Sequence, residues 1–472
     1  MIRRLAVIPA LAAILAGPVF AQGVSLPDAT RVVLDNGAII VVNEKDDVPL
    51  VGIEVLVRGG AVRDQEGKSG TASLFAGLLE RGAGERDAAA FAEAVESVGG
   101  SLSARAELEG IRIRGDFLAR DLGLALGLVR DMLVEPALKE AELDTLRERQ
   151  INLIRAAKDS DPGRLLPIYA AAFLYGEHPY ANPVEGSEAS LADISHRDVT
   201  AFYANEVGAD RLIIAVSGDV SAPAVVEQLS VLFGDFRPAA AAIEPLPPAR
   251  AETTRRVLLV DKPGATQTYF WIGNVGVPVG APGRAELDIA NTVFGGRFTS
   301  MLNTALRVES GLTYGARSIV TKGMATGSIG MTSFTQSEAT REAVELALSV
   351  LYRLRTDGIG EEMLRSARNY ILGLFPTRLE TASQLAAQFA MLEFYGLGRD
   401  YVDGYGKAVR AVTVESLLPV IDRVYPPGDE LVFVFIGDAA EIRNVVSRYG
   451  SLSELAITDG MFRPPPAADA AD

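Results

Sequence analysis

The segment Gly67–Gly82, with the sequence GKSGTASLFAGLLERG, carries the clearest helical pattern in the chain. Leu74, Phe75, Leu78 and Leu79 recur at the three- and four-residue spacing of one buried helix face. Gly82 follows them as a helix stop. The segment is therefore predicted to form a helix that packs against a hydrophobic core.

The other face of this predicted helix carries only small residues. Ser73, Ala76 and Gly77 stand at the i, i+3 and i+4 positions, where a zinc-peptidase helix of the His-x-x-Glu-His type has two histidines and a general base. None of the three can bind zinc or move a proton. The two histidines of the chain, His178 and His196, match no zinc spacing, and the chain has no cysteine. No metal site is therefore predicted in this chain.

The first 21 residues have the pattern of a secretory signal peptide. Arg3 and Arg4 precede an apolar run at 5–15, and residues 19–21, Val-Phe-Ala, offer a cleavage site. The run is short for a membrane span, and no later segment reaches the roughly eighteen apolar residues that a transmembrane helix needs. The sequence thus predicts a periplasmic protein with no membrane span after signal removal.

The chain is acidic, with 61 Asp and Glu residues, 45 Lys and Arg residues and a net charge of −16. Removal of residues 1–21, which contain two arginines and no acidic residue, would change this charge to −18. Nucleic acid is disfavoured as a partner, because binding to phosphates needs a basic surface. Solubility accounts for such a charge, and an acidic chamber that prefers basic peptides is the alternative.

An internal repeat predicts two duplicated domains. Two buried strands end in Gly-Asp, at 218–219 and at 437–438, and each leads into a helix. The offset of 219 residues between them is the size of one domain. Strands grouped with helices, without strict alternation, favour an α+β fold with mainly antiparallel sheets.

The domain limits follow from this repeat and from a change in composition. An Ala- and Pro-rich stretch at 236–254 reads as a linker between an N-terminal domain at 28–235 and a C-terminal domain at 255–455. Residues 456–472 are predicted to form a disordered tail. Within the first domain, the alternating pattern over 101–116 predicts one half-buried strand.

The segment 306–315, Leu-Arg-Val-Glu-Ser-Gly-Leu-Thr-Tyr-Gly, contains two side chains suited to peptide chemistry. Arg307 is predicted to end a helix, and Tyr314 to lie at the start of a strand over 313–320. Arg and Tyr donors can bind a peptide carbonyl or stabilise the oxyanion that forms when it is attacked. From the residues alone, a surface Arg–Glu pair beside a half-buried tyrosine is the commoner explanation.

Landmarks along residues 31–449 together carry a family resemblance. They are Leu-Asp-Asn-Gly at 34–37, Gly-x-x-Gly at 67–70, Gly-Gly-Ser-Leu-Ser-Ala at 99–104, His-Pro-Tyr at 178–180, Ala-Phe-Tyr at 201–203, Gly-Asp-Val at 218–220, Gly-Gly at 295–296 and Leu-Arg to Gly-Leu-x-Tyr at 306–314. With these landmarks the chain resembles the insulinase/pitrilysin family of metallopeptidases, in particular the mitochondrial processing peptidase type. The resemblance implies two homologous domains in a clam-shell arrangement.

The resemblance also implies that the metal site has been lost. It places the two zinc-binding histidines of active members at Ser73 and Gly77, the general base at Ala76, and the third ligand, a glutamate, near Leu153 or Ile154. All four residues are missing. The chain thus looks like the non-catalytic subunit of a heterodimeric zinc metallopeptidase, with zinc in the partner subunit and no cofactor of its own.

In such heterodimers, as the resemblance implies, the inactive subunit directs an arginine and a tyrosine into a shared chamber. Arg307 and Tyr314 match this pair and would bind the peptide substrate and stabilise its oxyanion. Residues 101–105 would form a strand edge onto which an extended peptide adds, although Ser103 replaces the family's asparagine. The alternative function is a structural or peptide-binding scaffold with no role in proteolysis.

Overall fold

Two six-stranded sheets and a two-stranded ribbon form the β-structure of the computed structural model, which describes residues 24–464. The strands of the first half are β1 (Thr30–Val33), β2 (Ile39–Glu44), β3 (Leu50–Arg58), β4 (Gly82–Ala83), β5 (Arg86–Asp87), β6 (Ser101–Ala106), β7 (Gly110–Leu118) and β8 (Leu212–Gly218). Those of the second half are β9 (Arg256–Asp261), β10 (Gln267–Val275), β11 (Arg317–Val320), β12 (Ser328–Gln336), β13 (Val432–Gly437) and β14 (Ser451–Ala456). The predicted signal peptide lies outside the described residues.

The two large sheets share the order of five strands and differ in the outer sixth, because β1 precedes β2 and pairs antiparallel with it, whereas β14 follows β9 and pairs parallel with it. The full order runs β1-β2-β8-β3-β7-β6 in the first half and β14-β9-β13-β10-β12-β11 in the second. Strands β2 and β8 pair parallel, as do β9 with β13 and β14, and the remaining neighbours pair antiparallel. Ile39 and Arg256, which begin β2 and β9, are 217 residues apart. The predicted α+β fold of two duplicated, mainly antiparallel domains is confirmed.

Helices cover both sheets in the same order. Those of the first half are α1 (Thr71–Leu78), α2 (Ala88–Glu96), α3 (Leu122–Val134), α4 (Glu140–Ser160), α5 (Leu166–Tyr175), α6 (Glu188–Asp193), α7 (His196–Glu206) and α8 (Ala222–Phe233). Those of the second half are α9 (Arg284–Asn291), α10 (Met301–Asn303), α11 (Thr340–Asp357), α12 (Glu361–Leu374), α13 (Ala382–Tyr395), α14 (Asp400–Asp403), α15 (Tyr405–Ala411), α16 (Val414–Val424) and α17 (Ala439–Val446). Between residues 24 and 464, no helix combines the length and the apolar character that crossing a membrane requires.

The segment with the clearest helical pattern forms α1. Its four predicted core residues are buried, with Leu74 and Leu78 each 1% exposed and Phe75 and Leu79 fully buried. Since these residues lie in the core of the first half, the predicted packing of this helix is confirmed.

Each half contributes one helix to the other half. Helix α13 of the second half lies across β2, β3 and β8 of the first sheet, and α5 of the first half lies across β10 and β13 of the second. The approach of α13 is close, because a Cβ atom built on Gly52 of β3 would lie 2.4 Å from the Ser383 Cα. Phe389 of α13 belongs to the same buried hydrophobic cluster as Leu56 and Ile213 of the first sheet. The two halves therefore share their cores.

Residues 101–116 form a hairpin, so the single strand predicted there is wrong. β6 and β7 pair antiparallel, and the Glu107 amide donates to the Gly110 carbonyl at 2.7 Å to close the turn between them. β6 is the outermost strand of its sheet.

The prediction of a disordered tail from residue 456 is wrong for the part that the structure describes. Ile457 and Phe462 are 5% and 3% exposed, and the Phe462 ring packs edge-on against Tyr169 of α5 at 5.0 Å between centroids. Lys158 of α4 donates to the Asp459 carbonyl at 2.6 Å. Residues 465–472 of the predicted tail lie outside the described residues.

Candidate functional site

The space beside α1 is filled by side chains of α4 that cannot bind a metal. Ala76 is fully buried, and the Ser73 hydroxyl accepts a hydrogen bond from the Gln150 Nε2 at 3.3 Å. A Cβ atom on Gly77 would lie 3.3 Å from the Leu146 Cδ1. The face of α1 at which a zinc peptidase has its ligands is thus packed against an amide and an aliphatic side chain.

The two positions predicted for the third ligand carry apolar side chains, and the α4 residues that contact this face of α1 are instead Leu146 and Gln150. Leu153 is 55% exposed and Ile154 is 6% exposed. Across residues 24–464, no three His, Cys, Asp or Glu side chains are grouped so that they could hold a metal ion. Because one serine hydroxyl is the only donor among these positions, the residues do not fit a zinc site.

The N-terminus of α1 is held by a buried carboxylate that the sequence did not indicate. Asp64, 8% exposed, accepts hydrogen bonds from the amides of Gly70 at 2.8 Å and Ala72 at 2.9 Å. Burial raises the pKa of Asp64 to about 7, and these amide hydrogen bonds act in the opposite direction. The carboxylate satisfies amides that the helix itself leaves without partners.

Both histidines have structural hydrogen bonds. The His178 Nε2 lies 2.8 Å from the Pro247 carbonyl of the connecting segment, and its Nδ1 accepts from the Tyr180 amide at 3.1 Å. The His196 Nε2 lies 2.6 Å from the Leu138 carbonyl. These contacts explain both residues without a metal.

Arg307 and Tyr314 lie against each other in the second half. The guanidinium carbon of Arg307 is 4.5 Å from the centre of the Tyr314 ring and 4.9 Å from that of Phe298. Both rings project from the protein, with Tyr314 75% and Phe298 62% exposed. Cation–π attraction orients the guanidinium between the rings. The structure therefore brings the two predicted residues together and adds Phe298, which the sequence analysis missed.

Local geometry keeps Tyr314 outside the sheet. Arg307 lies in the π-helical segment Thr304–Glu309, and Gly311, with a φ of +67°, turns the chain just after it. Strand β11 begins only at Arg317, so the prediction that Tyr314 starts a strand is wrong. The Thr313 hydroxyl, bonded to the Gly315 amide at 3.1 Å, closes a turn around the tyrosine. The ring is consequently presented on a tight loop.

Tyr314 lines a groove between the two halves. This groove has a volume of about 820 Å³, and its walls include Phe298 and Arg317 from the second half and Asp161 and Arg164 from the first. It adjoins a cavity of about 550 Å³ that Trp271 helps to line. The groove thus places a hydrogen-bonding tyrosine beside a space large enough for part of a peptide.

A buried acidic residue fastens the two halves together beside this cavity. Glu109, 8% exposed, accepts hydrogen bonds from the Tyr180 hydroxyl and from the Met324 amide, the latter at 2.7 Å. Burial raises the pKa of Glu109. Tyr180 was expected only as a landmark of the family resemblance, and no sequence pattern indicates that Glu109 and Met324 come into contact.

The predicted peptide-binding edge at 101–105 is partly closed by the chain itself. Strand β6 is an outer strand, but the Ala104 amide donates to the Glu80 carboxylate at 2.5 Å. Burial raises the pKa of Glu80. A peptide that adds to this edge would have to displace that carboxylate.

Two family models match the chain. The model described as "Insulinase (Peptidase family M16)" matches residues 40–188, and the model described as "Peptidase M16 inactive domain" matches residues 193–371. Together these models span most of both halves.

Relatives and solved structures agree with this assignment. The chain is 25% identical to an uncharacterized zinc protease, Rv2782c, of Mycobacterium tuberculosis over 397 residues, which cover 82% of this chain and 88% of that protein. It is also 25% identical to the non-peptidase homolog YmxG of Helicobacter pylori, over 73% of this chain and 79% of that protein. A crystal structure of a peptidase M16 inactive domain from Pseudomonas fluorescens superposes with a TM-score of 0.81 at 22% identity, covering 87% of this chain and 98% of that chain.

The fold and the matched family models support one family assignment, and the residues at the metal-site positions show that the zinc motif is missing. The structural likeness shows the fold, and the family models place both halves in one family. Ser73, Ala76 and Gly77 carry none of the groups that a zinc peptidase needs. The chain belongs to the insulinase family of peptidases, family M16, and is of the non-peptidase type that lacks the zinc motif.

Proposed function

We propose that this chain is the non-catalytic subunit of a periplasmic, heterodimeric zinc peptidase that cleaves peptides. The observation that supports this most is the stack of Arg307 on Tyr314. Tyr314 is 75% exposed at the mouth of the groove, and Arg307 forms no ion pair within the described part of the chain. An exposed aromatic ring backed by an unpaired guanidinium is typical of a surface that contacts a ligand or partner.

The proposed role of these residues is to hold the peptide carbonyl that is attacked. The Tyr314 hydroxyl donates a hydrogen bond to the carbonyl oxygen, and the bond strengthens as negative charge develops there. Arg307 contributes positive charge from beneath the ring and fixes the orientation of the tyrosine. The metal and the general base belong to the partner, an insulinase-family subunit that bears zinc.

The proposed periplasmic location and the proposed pairing with a zinc-bearing subunit are supported by separate observations. Residues 1–21 have the pattern of a signal peptide, which supports export to the periplasm. Pairing with an active subunit is supported by the presence of Arg307 and Tyr314 in a chain whose zinc-ligand positions hold Ser73 and Gly77. Without a metal site beside them, Arg307 and Tyr314 have no reaction to serve.

Reconstitution with the zinc-bearing partner tests this proposal. Arg307→Ala and Tyr314→Ala should each lower peptide cleavage by the pair while leaving the one-to-one complex intact. Tyr352→Phe, a change at a 68% exposed tyrosine of α11, serves as the control. Full cleavage by both variants would refute the role assigned to these residues.

The scaffold alternative is favoured by one observation, the closure of the β6 edge by Glu80. In a subunit that has lost all contact with substrate, a peptide-binding edge is free to become a packing surface. The same reconstitution separates the two functions, because a scaffold predicts cleavage that is indifferent to both Arg307 and Tyr314.

A further inference from the structure

The groove that Tyr314 lines is basic, although the chain as a whole is acidic. Its walls hold three arginines, Arg164, Arg297 and Arg317, against one carboxylate, Asp161. The whole chain has 61 Asp and Glu residues and only 45 Lys and Arg residues. The acidic surplus therefore lies elsewhere, and the groove has the opposite sign of charge.

Two of these three arginines are open to a ligand. Arg164 and Arg317 are exposed, and none of the three guanidinium groups forms an ion pair among residues 24–464. Arg297 is half-buried and donates one hydrogen bond, to the Ser366 hydroxyl at 2.9 Å. Its Nε is buried without a hydrogen-bond partner, so Arg297 contributes charge to the groove wall more than an open donor pair. The exposed guanidinium groups of Arg164 and Arg317 can each pair with a carboxylate through two parallel hydrogen bonds.

The groove continues into a cavity that is mainly apolar but whose wall also includes Glu107, Glu109 and Lys322. The cavity, of about 550 Å³, shares Leu166, Arg317 and Thr332 with the groove. Its inner wall includes Leu174 and Trp271, and Trp271 is 7% exposed. A space of this size and lining accepts one large apolar side chain.

We propose that this groove binds peptides in which an acidic side chain stands next to a large apolar one. The carboxylate pairs with Arg164 and Arg317, which come from opposite halves, and the apolar side chain enters the cavity beside Trp271. This inference rests on the proposed function, since it takes a peptide as the ligand, and it adds the class of peptide. It also decides against an acidic chamber that prefers basic peptides.

A binding assay with the full mature chain, without the partner, tests the inference. The probes are fluorescent ten-residue peptides that differ only at a central pair, Glu-Phe, Gln-Phe, Lys-Phe or Glu-Ala, and binding is followed by fluorescence anisotropy. The Glu-Phe peptide should bind at least about 10-fold more tightly than the Lys-Phe peptide, and high salt should reduce this preference. The Glu-Ala peptide should bind about 5- to 10-fold more weakly than the Glu-Phe peptide, because its side chain leaves the cavity unfilled.

Charge-removing variants locate the site. Arg164→Gln combined with Arg317→Gln should weaken the Glu-Phe peptide about 10-fold, which corresponds to two partly exposed ion pairs, and leave the Gln-Phe peptide unchanged. Arg341→Gln, at an exposed arginine of α11 outside the groove, is the matched control. Circular dichroism of each variant confirms that the chain is folded.

Three results would overturn the inference. The first is that the Lys-Phe peptide binds as tightly as the Glu-Phe peptide or more tightly, and the second is that no peptide binds measurably. The third is that the chain with Arg164→Gln and Arg317→Gln still binds the Glu-Phe peptide normally but no longer binds the zinc-bearing subunit. The last result would make the groove a contact between subunits. Because Arg307 and Tyr314 are unchanged in this assay, its failure leaves the proposed function standing. Selective peptide binding, together with full cleavage by both Arg307→Ala and Tyr314→Ala in the reconstituted pair, would refute the proposed function alone.

Discussion

Removing one oxygen atom from Tyr314 gives the sharpest test of the proposed chemistry. In the Tyr314→Phe variant the ring remains, so the Arg307 guanidinium keeps its contacts at 4.5 Å and 4.9 Å with the rings of residues 314 and 298. Each such contact at an exposed site contributes about 0.5–1 kcal/mol. The variant therefore loses the hydroxyl donor alone, without loss of the stack that positions it.

The magnitude follows from the role of an oxyanion donor. Deleting one such donor lowers kcat about 100- to 1000-fold, or about 3 kcal/mol of transition-state stabilisation. KM should change little, because the hydroxyl acts mainly after attack on the carbonyl. Tyr314→Ala should cost more than Tyr314→Phe, because the alanine variant also frees Arg307.

The assay is steady-state cleavage of an internally quenched peptide by the reconstituted pair. Tyr352→Phe removes a hydroxyl from a tyrosine that is 68% exposed on α11, and it should leave both constants unchanged. If Tyr314→Phe cleaves as fast as the unmodified pair, or if it changes only KM, the hydroxyl has no part in stabilising the transition state.

Three further predictions concern stability and metal binding. Phe389→Ala should lower the free energy of unfolding by about 3–5 kcal/mol. Both halves should still unfold in a single transition, because α13 of the second half covers the first sheet. Two separate transitions in urea would contradict the shared core. Burial raises the pKa of Asp64 to about 7, above its unfolded value of about 4. Because the folded state binds this proton more tightly, the free energy of unfolding should fall as the pH rises from about 4 to about 7. Asp64→Asn should abolish this pH-dependent part of the free energy of unfolding, which is worth up to about 4 kcal/mol. If urea unfolding gives parallel curves of stability against pH for the two proteins, Asp64 does not cause this pH dependence. Ser73→His, Gly77→His and Gln150→Glu, the last at the α4 residue that contacts Ser73, should together give a chain that binds about one zinc ion by metal analysis. A zinc-free variant with unchanged circular dichroism would show that these positions do not converge.

The elements that each half packs within itself were predictable from the sequence. Helix α1 has one apolar face, and strand β8 is a continuous apolar run, so their periodicities match their burial. Helices α5 and α13 were not predicted. Residues 166–175 read Leu-Pro-Ile-Tyr-Ala-Ala-Ala-Phe-Leu-Tyr, with no polar face, because the helix is covered both by its own half and by the sheet of the other half. A helix buried on both sides loses the periodicity on which prediction depends.

The candidate site was predictable only in part, for a related reason. Arg307 and Tyr314 are close in sequence and their segment carries a family pattern, so both could be named in advance. Arg164 and Glu109 come from the first half and reach the site through long-range contacts, whereas Phe298 is near Arg307 in the sequence but belongs to no pattern that marks it. The Glu109 carboxylate meets the Met324 amide across 215 residues, and no local pattern encodes such a pairing.

The most direct test of the central claim is native mass spectrometry of the tagged chain purified from the cells that produce it, with zinc counted in the same sample. The account predicts a one-to-one complex with a second insulinase-family subunit that carries His-x-x-Glu-His, with one zinc ion per complex. A zinc-free monomer or homodimer would contradict it.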